Sequence, residues 1–294
     1  MIKISTEKRA KFILYGELMR LHRPIGIYLV VWPTLWALWL AAKGLPDLEV
    51  LVIFLLGAVV MRSAGCVIND FADRNVDGHV RRTKERPIVS GGVTPKEALI
   101  LFACLCTFAF GLVLLTNMLT IWLSLGALAL ASLYPFMKRY THLPQVVLGA
   151  AFAWAVPMAF AAQTGKIDPA IWLVYTTVVV WTVCYDTFYA MADREDDLKI
   201  GVRSTAILFG DMDKVATGSL QIMTLISLVM IKQRFELGDV YLASLIVVAA
   251  LFAYQQYLIK DRDPQRCLAA FLNNNWVGMV IFLGILGDYA AQSL

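Results

Sequence analysis

Nine long apolar runs constrain this chain more than any other feature. They cover approximately Ile25–Ala42, Leu48–Val67, Ala98–Leu115, Thr120–Phe136, Val146–Ala162, Ala170–Phe188, Val215–Ile231, Val240–Ile259 and Trp276–Tyr289, the last with Phe271 as an earlier possible start. Most are roughly 17–22 residues long, the length a helix needs to cross a ~30 Å hydrocarbon layer. Barrel strands are shorter and alternate strictly, so the runs read as helices. The expected fold is therefore an all-α integral membrane protein, a bundle of about nine transmembrane helices. The composition agrees, because only 16% of the residues are charged, against roughly 25% in soluble chains.

The first run does not read as a cleaved signal peptide. A charged segment precedes it, it contains Trp32, Pro33 and Trp36, and eight further spans follow. The five cysteines all lie within or beside spans. Cys104 and Cys106 are too closely spaced for the usual zinc pattern, and the set reads as small packing residues.

Lys and Arg orient the spans. With the N-terminus and alternate loops placed on one side, all but Lys43, Lys166, Lys232 and Arg234 of the 26 fall there. The positive-inside rule makes that side cytoplasmic and, with an odd span count, puts the C-terminus outside. In a bacterial cell the expected location is the inner membrane, with the C-terminus periplasmic. The net charge of +4 is then a topology signal, and no nucleic-acid partner is expected.

Two cytoplasmic connections are long and mix acids with bases. Asp73-Arg-Asn-Val-Asp77 and Asp193-Arg-Glu-Asp-Asp197 are both Asp-Arg-x-x-Asp pentads, each at the cytoplasmic end of a span. Four spans separate them, so both emerge on one side. The pattern reads as a parallel internal repeat within a single domain of residues 1–294, with halves at about 20–140 and 141–260 and a final added helix.

Residues four apart share a helix face. If the second span continues past Asn69, then Asn69, Asp73 and Asp77 form one stripe. Tyr189, Asp193 and Asp197 form another, and Asp186 lies further back on nearly the same face. Crowded carboxylates need compensation, and hard oxygen donors without His or Cys select Mg²⁺ or Ca²⁺. Two carboxylate pairs imply two ions either side of a diphosphate. Arg82, Lys84 and Arg86 follow the first stripe, Lys138 and Arg139 end the fourth span, and Lys199 and Arg203 follow the second stripe. Arg matches phosphate oxygens with a forked donor, and Lys adds a point charge. Tyr134, one turn before Lys138, adds a hydroxyl. For any one of these bases, the positive-inside bias alone is the competing explanation. Arg62 lies inside an apolar run, where a charge marks function or snorkels to the headgroups.

At these residues the sequence resembles the UbiA superfamily of intramembrane prenyltransferases, and within it the branch acting on 4-hydroxybenzoate. Asn69-Asp70-x-x-Asp73-x-x-x-Asp77 is similar to the family's first motif. The run from Asp186-Thr187-x-Tyr189-Ala190 through Asp193, Asp196-Asp197, Gly201 and Ser204 is similar to its second. Arg23-Pro24-Ile25-Gly26, Trp32-Pro33-Thr34-Leu35-Trp36 and Arg82-Thr83-x-x-Arg86-Pro87 resemble that branch.

The resemblance implies a nine-helix bundle around a cavity, Mg²⁺ as cofactor, and a polyprenyl diphosphate and 4-hydroxybenzoate as substrates in ubiquinone biosynthesis. It places Asp73, Asp77, Asp193 and Asp197 on metal, with Asn69 adjoining. Arg82, Arg86, Lys138 and Tyr134 would hold the diphosphate, with Arg139 and Tyr189 beside them. Arg62 and Asn69 would help form the acceptor pocket, and Asp193 or Asp186 would take the ring proton. A naphthoate, haem or chlorophyllide acceptor would use the same diphosphate machinery. A cation-coupled transporter is the rival class, but its acids belong near mid-span rather than at helix ends.

Overall fold

The computed structural model describes residues 6–75, 77–79 and 83–292. A short helix, α1 (Thr6–Leu18), precedes the spans. Lys11 ties it to the fourth element by donating to the Gly92 carbonyl and pairing with Glu97 at 2.9 Å. There follow α2 (Ile25–Ala42), α3 (Leu48–Asp73), α4 (Pro95–Val113), α5 (Met118–Met137), α6 (Pro144–Ala153) and α7 (Ala155–Thr164). The chain continues with α8 (Ala170–Ile200), α9 (Thr205–Phe209), α10 (Asp213–Arg234), α11 (Asp239–Leu258) and α12 (Pro264–Gln292). Among the described residues, nine helical segments are long and apolar enough to cross a membrane, with α6–α7 acting as one and α9–α10 as another.

The break between α6 and α7 has a local cause. Pro157 has no N–H to give the Ala153 carbonyl, so the helical ladder is interrupted there. Trp154 at the break donates its indole N–H to the Leu123 carbonyl at 2.8 Å. Gly126 makes room for that ring, since a Cβ there would lie 2.8 Å from it.

Helix ends differ most from expectation where charge or amide side chains dilute the apolar pattern. The run expected at Trp276–Tyr289 is a helix from Pro264, twelve residues earlier. Asn273, Asn274 and Asn275 hide its first half from a hydropathy reading, yet each has a partner. Gln255 donates to Asn273 at 2.9 Å, the Trp181 indole to Asn274 at 2.8 Å and the Trp32 indole to Asn275 at 3.0 Å. A satisfied amide costs little inside a bundle.

α8 carries the second motif unbroken to Gly201, whose left-handed φ of 70° ends the helix and lets its N–H reach the Asp197 carbonyl. The first motif behaves otherwise. α3 stops at Asp73, and Asp77 starts a separate 3-10 turn, Asp77–His79. The expected Asn69–Asp73–Asp77 helical stripe is thus real only as far as Asp73. Asn75 and Gly78, both turn formers, follow that helix end.

The core lies where α2, α7, α8 and α12 meet. Trp36 stacks on Trp181 at 5.2 Å, and its indole N–H donates to the Gly278 carbonyl of α12 at 2.9 Å. On the charged side, Asp213 at the start of α10 is fully buried. It accepts from Arg262, in the α11–α12 turn, at 2.9 Å, and from Arg194 of α8 at 3.5 Å. That clasp fixes the end of α8 that bears the second motif.

Candidate active site

A cavity of about 1000 Å³ runs into the bundle from the ends of α3 and α8 that carry the motifs. Most of the residues singled out from sequence line it: Arg62, Asn69, Asp73, Asp77, Arg86, Tyr134, Lys138, Asp186, Tyr189, Asp193, Asp197 and Arg203, whereas Lys84 and Lys199 do not. Arg139 is elsewhere. It is exposed, donates to the Ala72 carbonyl at 2.5 Å and covers the Phe136 ring, so it caps the C-terminus of α3. Arg82 lies outside the described residues.

The mouth is a network of opposed charges. Arg86 bridges two carboxylates, Asp70 at 2.9 Å and Asp77 at 2.6 Å. Burial opposes its charge, but Asp70 and Asp77 outweigh that and hold its pKa above the ordinary guanidinium value. Lys138 pairs with Asp73, which also accepts from the Asn69 amide at 3.2 Å. Thr83 donates to the Asp77 carbonyl at 2.7 Å and so anchors the loop that returns Arg86 to the site.

Asp70, which the four-residue stripe passes over, is 1% exposed and also accepts from Arg20 at 2.8 Å. It stands inside the quoted motif, so the sequence carried its signal. Arg20 sits beyond α1 at a left-handed φ of 58°, and no local pattern marks it. Gln145 of α6 is a second omission. Its carbonyl oxygen accepts from the Thr205 N–H at 3.1 Å, and its side chain is a neighbour of Asp186.

Deeper in, the wall turns apolar. Arg62 lies eleven residues before Asp73 on α3, about 16 Å along the axis, with its guanidinium carbon 5.3 Å from the Phe152 ring centroid. Its Nε is buried and has no hydrogen-bond partner.

The donor set fits a hard divalent cation. Asp73 Oδ1 is buried with no partner, as a lone pair aimed at an absent cation would be. Mg²⁺ takes one or two carboxylates and completes its shell with water and phosphate, and the carboxylates at the mouth are donors of that kind. Six acids (Asp70, Asp73, Asp77, Asp186, Asp193, Asp197) and six bases (Arg20, Arg23, Arg62, Arg86, Lys138, Arg203) line the cavity among the described residues. Among these described residues the acids and bases are equal in number. All five cysteines are free thiols.

A bundle with an apolar shaft ending in matched acids and bases defines a class of membrane protein that handles amphiphiles with an anionic head. The chain belongs to the UbiA prenyltransferase family, whose model matches residues 30–282. It is 66% identical over 284 residues to the 4-hydroxybenzoate octaprenyltransferase of Saccharophagus degradans, covering 97% of this chain and 95% of that one. It is 60% identical over 278 residues to the protein of that name from Pseudomonas aeruginosa, covering 95% and 94%. Among solved structures, a UbiA homolog from Aeropyrum pernix superposes with a TM-score of 0.79 at 25% identity, over 89% of this chain and 97% of that one. A homolog from Archaeoglobus fulgidus bound to GPP and Mg²⁺ shares the fold, with a TM-score of 0.71 at 18% identity over 96% of this chain and all of that one.

Proposed function

We propose that this chain transfers a polyprenyl group from its diphosphate to the ring carbon ortho to the hydroxyl of 4-hydroxybenzoate, releasing diphosphate, as a step of ubiquinone biosynthesis. The observation that carries the reading is the polarity of the cavity. Paired charges crowd its mouth, and one buried cation, Arg62, stands deep in an apolar wall. The names of the relatives at 60–66% identity agree with this acceptor.

Arg86 and Lys138 leave their carboxylate partners to hold the diphosphate, and the Tyr134 hydroxyl adds a donor. Mg²⁺, when bound by Asp73, Asp77, Asp193 and Asp197, supplies positive charge against the diphosphate oxygens as the C1–O bond breaks. The apolar shaft excludes water from the allylic cation that results. Arg62 holds the carboxylate of the aromatic acid, and Asn69 lies between it and the mouth. The ring carbon attacks C1, and its proton passes to a carboxylate. Asp186 is two helical turns deeper than Asp193, about 10 Å nearer the acceptor end, and is an electrostatic neighbour of Arg62. That depth favours Asp186 as the base, with Gln145 beside it, over Asp193.

The test is a membrane assay with a polyprenyl diphosphate and labelled aromatic acceptors, the products separated by mass. Prenylated 4-hydroxybenzoate is expected, formed equally in detergent without any gradient. Turnover of a naphthoate alone would sink the acceptor assignment, and dependence on a gradient would revive the transporter.

We further propose one domain in two repeated halves, set in the inner membrane with a cytoplasmic N-terminus and a periplasmic C-terminus. α3 and α8 occupy the equivalent motif-bearing positions of the two halves. Reporters fused after Lys84 or Gly210 are expected to read cytoplasmic, and those after Gly165 or at the C-terminus periplasmic. A cytoplasmic C-terminus would show that the span count is wrong.

A further inference from the structure

Arg62 Nε is not the only orphan in the deep cavity wall. The Tyr185 hydroxyl is also buried with no hydrogen-bond partner, and Tyr185 lines the same cavity. The Thr182 hydroxyl, one turn back, is its neighbour but meets nothing in hydrogen-bonding geometry either. Tyr185, Arg62 and Asp186 are mutual electrostatic neighbours. Neither orphan is spent on the Asp186 carboxylate.

Both groups are held rigidly. The Tyr185 ring stands edge-on to Trp181, at 5.2 Å and 80°, and to Phe271 of α12, at 5.9 Å and 63°. Trp181 is fixed in turn by its stack on Trp36 and by its bond to Asn274. The tyrosine therefore cannot swing its hydroxyl away to find another partner. The Arg62 guanidinium lies so close to the α2 backbone that a Cβ on Gly26 would come within 2.7 Å of both Nε and Nη2. Gly26 has an ordinary φ, so close approach, rather than backbone conformation, is what the missing side chain serves.

Buried polar groups are almost always satisfied, and each exception calls for an explanation. The two orphans on residues that line the cavity are an N–H that can only donate and a hydroxyl whose proton is unused. A prenyl tail would satisfy neither, and a neutral phenol oxygen would not meet the guanidinium's charge. A carboxylate offers two oxygens, one for each orphan, and a charge opposite to that of Arg62. We propose that Tyr185 is a second donor to the carboxylate of the aromatic acceptor, beside Arg62, and that Gly26 is the positioning residue that sets where Arg62 lies. This rests on the functional reading above.

The experiment uses full-length protein in membranes, at matched levels. Tyr185→Phe keeps the ring and its packing. It is expected to raise the apparent KM for 4-hydroxybenzoate roughly ten-fold, with the KM for the prenyl diphosphate unchanged. Inhibition against the acceptor then identifies the group contacted. Benzoate should weaken by the same factor as 4-hydroxybenzoate, and phenol, which has no carboxylate, should not weaken at all. Gly26→Ala should also raise the acceptor KM alone, by displacing Arg62, and it provides the reading should Tyr185→Phe fail to accumulate. An unchanged acceptor KM in the variant measured, or equal weakening of benzoate and phenol, overturns the assignment. A parent chain that prenylates no hydroxybenzoate overturns the functional reading instead, and this is seen before any variant is compared.

Discussion

An Asp73→Asn variant is expected to insert and fold, yet to turn over about a thousand-fold more slowly than the parent chain. The substitution keeps size and removes charge. Asp73 is 2% exposed, bonded to Asn69 and paired with Lys138, and its second oxygen has no partner. An amide can still accept from Asn69, and Lys138, with 23% of its side chain exposed, is not stranded in a dry interior. What the amide cannot supply is negative charge for a divalent ion. Asp193→Asn at the facing stripe is expected to behave alike, because each motif would bind its own ion. EDTA should silence the parent chain, with Mg²⁺ restoring it. Near-normal turnover in either variant at matched membrane levels would sink the two-ion reading.

How much of this was legible from sequence depended on how local each contact is. The bounds of α2 were read to the residue, since its run ends sharply at Pro24 and at Lys43, which takes a left-handed φ of 53°. The stripe on α8 was legible for the same reason, because helical spacing alone puts Tyr189, Asp193 and Asp197 on one face. Asp77 was misplaced because a stripe rule assumes the helix goes on, and α3 does not. Arg139 was assigned to the site by adjacency to Lys138, but neighbours in sequence point about 100° apart on a helix, and Arg139 caps α3 instead. The pairing of Arg86 with Asp70 and Asp77 closes a loop, and the approach of Arg20 and the packing of Gly26 against Arg62 join segments distant in sequence. No periodicity encodes such contacts. They follow only once the loop after α3 and the start of α2 are placed over the cavity.

The two arginines at opposite depths of that cavity yield the sharpest division between substrates. Arg62→Ala is expected to raise the apparent KM for 4-hydroxybenzoate, and Arg86→Ala that for the prenyl diphosphate, each by about 10- to 150-fold, the worth of a charge-assisted hydrogen bond. Depth is the reason. Arg62 lies about three helical turns below Asp73, among Phe152 and the apolar wall, where a diphosphate held at the mouth does not reach. Arg86 lies in the loop at the mouth, already gripping the carboxylates that the headgroup and its cations would engage. Its removal carries a second cost that the removal of Arg62 does not. Asp70 keeps Arg20 but loses Arg86, and Asp77 loses a bond of 2.6 Å, so two buried carboxylates repel one another more strongly. Raised Mg²⁺ should therefore recover part of the Arg86→Ala defect, by supplying the missing positive charge, and none of the Arg62→Ala defect. Kinetics at saturating acceptor with varied donor, and the reverse, separate the two. Should Arg62→Ala instead weaken the donor, or both substrates equally, Arg62 belongs to the diphosphate site and the acceptor lies elsewhere in the shaft.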